Sequence, residues 1–322
     1  MNLLLEQHYG MVGKNRMKLS DYVAKKVAEN NISHVFMVTG GGAMHLNHSF
    51  GSNKNIECIF NHHEQGCAIG ADAYYRLTNK LSVVNVTSGP GGTNAITGVY
   101  GAWTDSIGML VISGQVKWET TVRSTGLPLR QYGDQELDIE ELVKPITKYC
   151  HMVTDPLTIR YHLEKAIYLA KSGRPGPVWL DIPLNVQASK INPESLKGFD
   201  PAELSEPWSK TDLNEYSKNI HKKIKDSKRP VILVGAGIRL SGKHKSFINL
   251  INKLKVPVVT AWNAHDVVWN DHQYYCGRPG TIGDRGGNFT VQNSDLLLIL
   301  GSRLNIRQVS YNWDSFAREA YK

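Results

Sequence analysis

The 322-residue chain is 41% apolar and 20% charged, which excludes a disordered polypeptide and suits one large α/β domain or about two ordinary domains. Lys and Arg outnumber Asp and Glu by 37 to 29, a formal charge of +8 compatible with anionic ligands such as phosphates. Cys58, Cys67, Cys150 and Cys276 show neither CxxC spacing nor disulfide-scaffold density, which points to reduced thiols, no zinc-finger site and a cytoplasmic location.

Residues 1–16 lack periodicity and read as a loose extension. Leu3, Leu4 and Leu5 give way at once to Glu6, and no stretch nears the ~18 apolar residues of a membrane span. Ser20 and Asp21 are placed to cap a helix through Val23, Val27 and Ala28, which Asn30-Asn31 ends before a strand over His34–Val38. The alternation continues with strand Ile56–Phe60, helix Glu64–Leu77, strand Ser82–Val86, a Gly-rich turn, a helix through Ala102 and strand Met109–Ile112. A helix over Leu157–Ser172 and a strand over Pro177–Ile182 complete the layer. Short apolar strands between helices predict a parallel sheet covered on both faces, in a domain spanning residues 17–190.

Residues 191–215 carry Pro193, Pro201 and Pro207 without a sustained period and read as a linker. A second α/β unit, residues 216–322, begins with the basic run Lys218–Arg229, where a solvated helix face is a simpler reading than a nucleic-acid patch, and no nucleic-acid partner is expected. Strand Val231–Val234, helix Phe247–Leu254, strand Pro257–Thr260 and strand Leu296–Leu300 follow. The polar, helix-like stretch Trp313–Tyr321 has no strand after it. The second unit therefore reads as truncated, and the chain as a portion of a longer protein.

Four turns are candidates for chemistry. His62-His63-Glu64-Gln65-Gly66 puts Glu64 in the first turn of a helix at the carboxyl edge of the sheet, where open α/β sheets bind ligands. Cys67 occupies the place of the second ligand in HExxH, so a zinc protease is excluded, and a carboxylate favoured by the helix dipole is the structural alternative. Ser88-Gly89-Pro90-Gly91-Gly92-Thr93-Asn94 follows a strand but matches neither the P-loop nor GxGxxG; it is a ligand-approaching loop or a tight turn. Gly40-Gly41-Gly42 and Gly235-Ala236-Gly237, the latter with Arg239, carry the same two readings. No GxSxG elbow supports serine chemistry.

Taken in order, Val35-Phe36, Gly40-Gly41, His63-Glu64-Gln65-Gly66, the Ser88–Asn94 loop, Asp105-Ser106, Gly114-Gln115-Val116, Pro145-Ile146-Thr147-Lys148, Ser172–Val178 and Asp181-Ile182-Pro183 resemble the pyrimidine-binding domain of thiamine-diphosphate enzymes of the acetolactate synthase type. Gly280, Val291–Leu296 and Gly301-Ser302-Arg303 are similar to the Rossmann-like middle domain of the same enzymes, which in acetolactate synthases holds FAD. The resemblance implies a thiamine-diphosphate-dependent carboligase or decarboxylase that takes a 2-keto acid such as pyruvate and a second carbonyl acceptor, and works as a homodimer or homotetramer. It implies that Glu64 hydrogen-bonds the aminopyrimidine ring, that Gly40, Gly41 and Asn94 line its pocket with Gln115 close by, and that Gln135 approaches substrate and cofactor. It implies flavin contacts at Arg174, Gly235, Arg239, Gly280 and Arg303.

The chain departs from the family at Thr39 and Met37, in the longer segment Lys117–Asp134, and in the loop around Gly283–Gly287. It contains no Gly-Asp-Gly, the motif by which the family's third domain holds Mg²⁺ and the diphosphate, so this chain is expected to be inactive alone. The competing expectation is a non-catalytic flavin- or nucleotide-binding, or assembly, module.

Overall fold

The computed structural model describes residues 16–204 and 210–322; the extension expected over residues 1–16 lies outside the described residues except for Arg16, as does part of the 191–215 segment. The chain divides after Leu204 into two compact units.

In the first unit β1 (Met17–Lys18) leads into α1 (Leu19–Glu29), β2 (His34–Met37), α2 (Met44–Gly51), β3 (Glu57–Phe60), α3 (Glu64–Thr78), β4 (Val83–Val86), α4 (Pro90–Asp105) and β5 (Met109–Gln115). The short helices α5 (Val122–Thr125) and α6 (Ile139–Val143) precede β6 (Tyr149–Met152), α7 (Ile159–Lys171), β7 (Pro177–Pro183), α8 (Leu184–Ala188) and β8 (Lys190–Ile191). Six strands form a parallel sheet in the order β3-β2-β4-β5-β7-β6, and β1 pairs antiparallel with β8. Every residue of β4, β5 and β7 is buried, as continuous apolar runs covered by helices on both faces require. Trp179, 1% exposed, is the largest fully buried side chain; removing such a ring costs roughly 3–5 kcal/mol.

Two local expectations change. Ser20 does not cap α1: the helix begins at Leu19 without a side-chain cap, and Ser20 is buried, where it accepts a hydrogen bond from Ser49 Oγ at 2.9 Å. A tertiary partner outweighs the local cap. Helix α2 and strand β6 carry no clear periodic signal in the sequence, because both are short and mix His, Asn or Cys into their apolar positions.

Helices α3 and α4 pack closely because their contact is built from small residues. A Cβ on Gly98 would stand 2.5 Å from Ala68 Cβ and 3.0 Å from the Ala68 carbonyl carbon, so only hydrogen fits there. Ala68 and Gly98 lie one turn beyond Glu64 and Asn94, so this contact sets the separation of those two side chains.

The second unit contains α9 (Lys210–Asp226), β9 (Pro230–Val234), α10 (Gly237–Leu240), α11 (His244–Leu254), β10 (Val258–Thr260), α12 (Arg285–Gln292), β11 (Leu296–Leu300) and α13 (Ile306–Val309). Its parallel sheet runs β10-β9-β11. Alternate residues of β9 feed opposite faces: Ile232 and Val234 pack with Phe247 and Ile251, whereas Val231 and Leu233 pack with Val291 and Phe316. The Lys-rich part of α9 is exposed along nearly all its length. Trp313–Tyr321 is not a helix. A short 3-10 turn over Trp313–Ser315 gives way to Ala317 in the left-handed region (φ 45°), which buries Phe316 and Ala317 and lets Tyr321 bridge Leu296 in parallel. No helix among the described residues is long and apolar enough to cross a membrane.

Replacing Gly98 with Ala is expected to destabilise the chain by about 1–3 kcal/mol through overpacking, read as a lowered urea midpoint; an unchanged midpoint would show that the helices can separate at no cost.

Candidate functional site

The order of the six-stranded sheet makes its own crevice. The chain leaves β2 for β3 at the edge, then returns to the other side of β2 as β4, so the carboxyl ends of β2 and β4 diverge there. The turns that follow these strands carry Gly40–Gly42 and Thr87–Gly89. They meet across a cleft of about 630 Å³ lined by Gly40, Gly41, Thr87, Ser88, Lys117 and Gln135, within the usual range for a small-molecule site. Thr87 sits at the centre of the turns: Gly42 N donates to its Oγ1 at 3.0 Å, and a Cβ on Gly40 would come within 2.5 Å of Thr87 Cβ. Buried Gln187 fixes the first turn by donating from Nε2 to Gly42 O at 2.7 Å.

Glu64 is the first residue of α3, where His63 takes the cap position and accepts a hydrogen bond from Gln65 N through Nδ1 at 3.1 Å. The Glu64 side chain is buried, with the residue 9% exposed, and Asn94 Nδ2 donates to its Oε2 at 3.0 Å. Its Oε1 has no hydrogen bond among the described residues. A Cβ on Gly91 would lie 3.6 Å from this oxygen and 2.8 Å from Thr87 Cγ2, so glycine keeps the space between them free. A carboxyl with one oxygen held and the other open is equipped to exchange a proton with a ligand nitrogen. The structure thus brings Glu64 to Asn94, and Gly40 and Gly41 to Gln135.

Gln135 is exposed and has positive φ (56°), a conformation that costs a non-glycine residue of order 1 kcal/mol. Its carbonyl oxygen lies 2.3 Å from where a Cβ of Gly89 would stand, and Gly89 also has positive φ (53°), so both the conformation and the close approach demand glycine. Gln115, by contrast, lies behind the cleft wall. It is 1% exposed, and its amide is fully engaged: Nε2 donates to Leu137 O at 2.8 Å and Asp181 Oδ2 at 3.0 Å, while Oε1 accepts from Val116 N at 3.1 Å.

Arg174 is an exposed residue of the first unit that donates to Ser106 Oγ at 2.5 Å. In the second unit the Gly235 turn is demanded by packing, since a Cβ there would come within 2.3 Å of Gly301 O. Arg239 is ion-paired to Asp266, and Arg303 is exposed just after the Gly301 turn. Gly280 (φ 136°) lines a separate cavity of about 180 Å³ with Trp262, Arg307 and Gln308. Gln308 is 5% exposed, and neither polar atom of its carboxamide has a hydrogen-bond partner among the described residues. Among the described residues, no three His, Cys, Asp or Glu side chains gather as a metal site.

Residues 17–142 match the family model for the thiamine pyrophosphate enzyme N-terminal TPP binding domain, and residues 217–322 match the model for the thiamine pyrophosphate enzyme central domain. The chain belongs to the thiamine pyrophosphate enzyme family. Among curated relatives, the acetolactate synthase large subunit of Porphyra purpurea is 32% identical over 99% of this chain and 52% of its own length. That of Lactococcus lactis is 32% identical over 90% of this chain and 49% of its own, and the probable acetolactate synthase large subunit of Methanocaldococcus jannaschii is 30% identical over 94% and 50%. The chain spans about half the length of the curated relatives it matches.

Sequence reading missed Thr87 and Gln187, because neither stands in a motif that marks it, and it named Asp181 only within the Asp181-Ile182-Pro183 motif, without its contact to Gln115. Asp181 is 1% exposed; burial pushes its carboxyl up to about 7, hydrogen bonds from Ser113 and Gln115 pull the other way, and Asp138 and Glu140 add to the rise. The folded-state value lies above the ordinary 3.8, so the native state holds an extra proton between the two values, and stability from this group falls as pH rises through that window. Asp181→Asn removes the buried charge. Relative to the parent, its stability is expected to improve by a few kcal/mol between about pH 4 and about pH 8, as measured by urea unfolding; a pH-independent difference would refute the assignment.

Proposed function

We propose that the first unit holds the aminopyrimidine end of thiamine diphosphate in the crevice between β2 and β4, as part of an acetolactate synthase-like carboligase or decarboxylase acting on a 2-keto acid such as pyruvate. The observation that carries this reading is the Glu64 carboxyl: buried at a helix start, gripped on one oxygen by Asn94, and open on the other. Thiamine diphosphate, when bound, supplies the electron sink that lets a 2-keto acid lose CO₂ and join a second carbonyl acceptor.

The residues of this chain have the following parts. Glu64 Oε1 holds or releases a proton at a pyrimidine nitrogen, while the Asn94 amide keeps the carboxyl from rotating away. Gly40 and Gly41 let the backbone approach a flat ring closely, and Gln135 presents its side chain from the opposite wall. Grip on the diphosphate, through Mg²⁺, is assigned to the family's third domain, and turnover to an assembled homo-oligomer in the cytoplasm.

The second unit is assigned a flavin. A buried carboxamide with no partner costs roughly 1–3 kcal/mol, and a ring edge that presents adjacent donor and acceptor groups would relieve it. The cavity at Gly280 and Gln308 is smaller than a usual ligand site and suits such an edge rather than a whole dinucleotide. Gly280, Arg303 and Gln308 would hold FAD on this reading; the ion pair of Arg239 with Asp266 leaves that arginine a structural part, and Arg174 is assigned no contact.

In the complete enzyme, Glu64→Gln should retain thiamine diphosphate but lower pyruvate turnover by about 10²-fold or more, since the amide cannot exchange a proton. A fully active variant would end this assignment. In the flavin-free 322-residue chain Gln308→Leu should raise the urea midpoint by an amount worth about 1–3 kcal/mol, and in the complete enzyme it should reduce the FAD released on denaturation; a lowered flavin-free midpoint would argue that the amide is satisfied in the fold.

A further inference from the structure

Behind the cleft a chain of buried polar side chains runs from the centre of the sheet to the turn that carries Gln135. Trp179 Nε1 donates to Ser113 Oγ at 2.8 Å, and Ser113 Oγ donates to Asp181 Oδ1 at 2.6 Å. Gln115 Nε2 donates both to Asp181 Oδ2 at 3.0 Å and to Leu137 O at 2.8 Å. The parallel register of β5 and β7, which pairs Ser113 with Asp181, creates this arrangement. Because Val116 N donates to Gln115 Oε1 at 3.1 Å, the amide cannot flip without setting acceptor against acceptor at Leu137.

The other ties of this segment are largely internal. The Glu136 carboxylate accepts from Gly133 N at 2.9 Å, Tyr132 N at 3.2 Å and Val122 N, so it gathers the loop onto itself. Among the described residues, Gln115 bonds residues 132–138 to the sheet, through Leu137 O. Leu137 lies two residues beyond Gln135, whose carbonyl is pressed against Gly89, so a shift at Leu137 reaches the cleft wall directly.

We propose that Asp181 is a positioning residue: by fixing the Gln115 carboxamide it holds the Leu137 carbonyl, and with it the left-handed turn that presents Gln135 to the cleft. Its significance for catalysis rests on the reading of this cleft as the thiamine diphosphate site; the clamp itself concerns only atoms of this chain.

Four variants separate a clamp from general packing. Asp181→Leu removes the acceptor at similar volume, and Gln115→Leu removes the carboxamide. Asp181→Asn keeps an oxygen for Gln115 Nε2 while turning its Nδ2 to Ser113 Oγ. Ser113→Ala cuts the other arm, leaving Trp179 Nε1 without its partner but Gln115 and Leu137 intact. Backbone hydrogen exchange of the 322-residue chain, read over residues 132–138 and over β4 and β7, is compared with the urea midpoint of each variant. Asp181→Leu and Gln115→Leu should each speed exchange over residues 132–138 by about tenfold or more, with little change in β4. Asp181→Asn should restore the parent rate there, and Ser113→Ala should lower the urea midpoint without speeding that segment. The proposal is overturned if Ser113→Ala loosens residues 132–138 as much as Asp181→Leu does, or if Gln115→Leu leaves them unchanged. Should Asp181→Leu not fold, Gln115→Leu and Asp181→Asn still decide the matter. All rates are taken without ligand, so failure of the clamp is distinguishable from failure of thiamine diphosphate to bind.

Discussion

Ala68 and Gly98 stand where α3 and α4 meet, and the absence of a Cβ at Gly98 lets the helices approach to a distance no other residue permits. One turn toward their N-termini, the same geometry brings Asn94 to Glu64 at 3.0 Å. The Glu64 carboxyl is therefore positioned by two packed helices rather than by a loop. The cleft between the Gly40–Gly42 and Thr87–Gly89 turns opens where β2 and β4 diverge at the switch in strand order.

Around that cleft, glycines and buried amides divide the work. Gly40 and Gly89 are places where backbone or a neighbouring side chain has taken the space of a Cβ, so the turns nest into one another. Gln187 bonds the Gly40–Gly42 turn to the sheet and Gln115 bonds the segment at Leu137, each from inside the protein. Amides suit this task because a single planar group offers donors and an acceptor in fixed directions, so one buried side chain can satisfy several partners. Gln308 in the second unit is the contrast: 5% exposed, with no hydrogen-bond partner among the described residues.

Much of the architecture was legible along the chain. The runs at His34, Ser82, Met109, Pro177, Val231 and Leu296 are strands, and the Glu64 and Leu157 segments are helices, because apolar periodicity and the breakers beside it act over a few residues. The misread stretch, Trp313–Tyr321, fails for a related reason: its polar composition fits a helix locally, but Phe316 and Ala317 are drawn into the β9–β11 face and the backbone turns left-handed at Ala317. Ser20 illustrates the same override, since a hydroxyl able to cap a helix finds Ser49 instead.

By itself, the sequence determined the α/β alternation, the glycine turns at strand ends and the placement of Glu64 at a helix start, all properties of short neighbouring segments. Only the tertiary structure decided that Gln115 faces inward to Asp181, 66 residues away, rather than into the cleft, and that Gly235 is glycine because Gly301 leaves it no room. Such choices depend on strand register and on how closely elements pack, and these are fixed only when residues distant in the chain compete for the same buried space and the same hydrogen bonds.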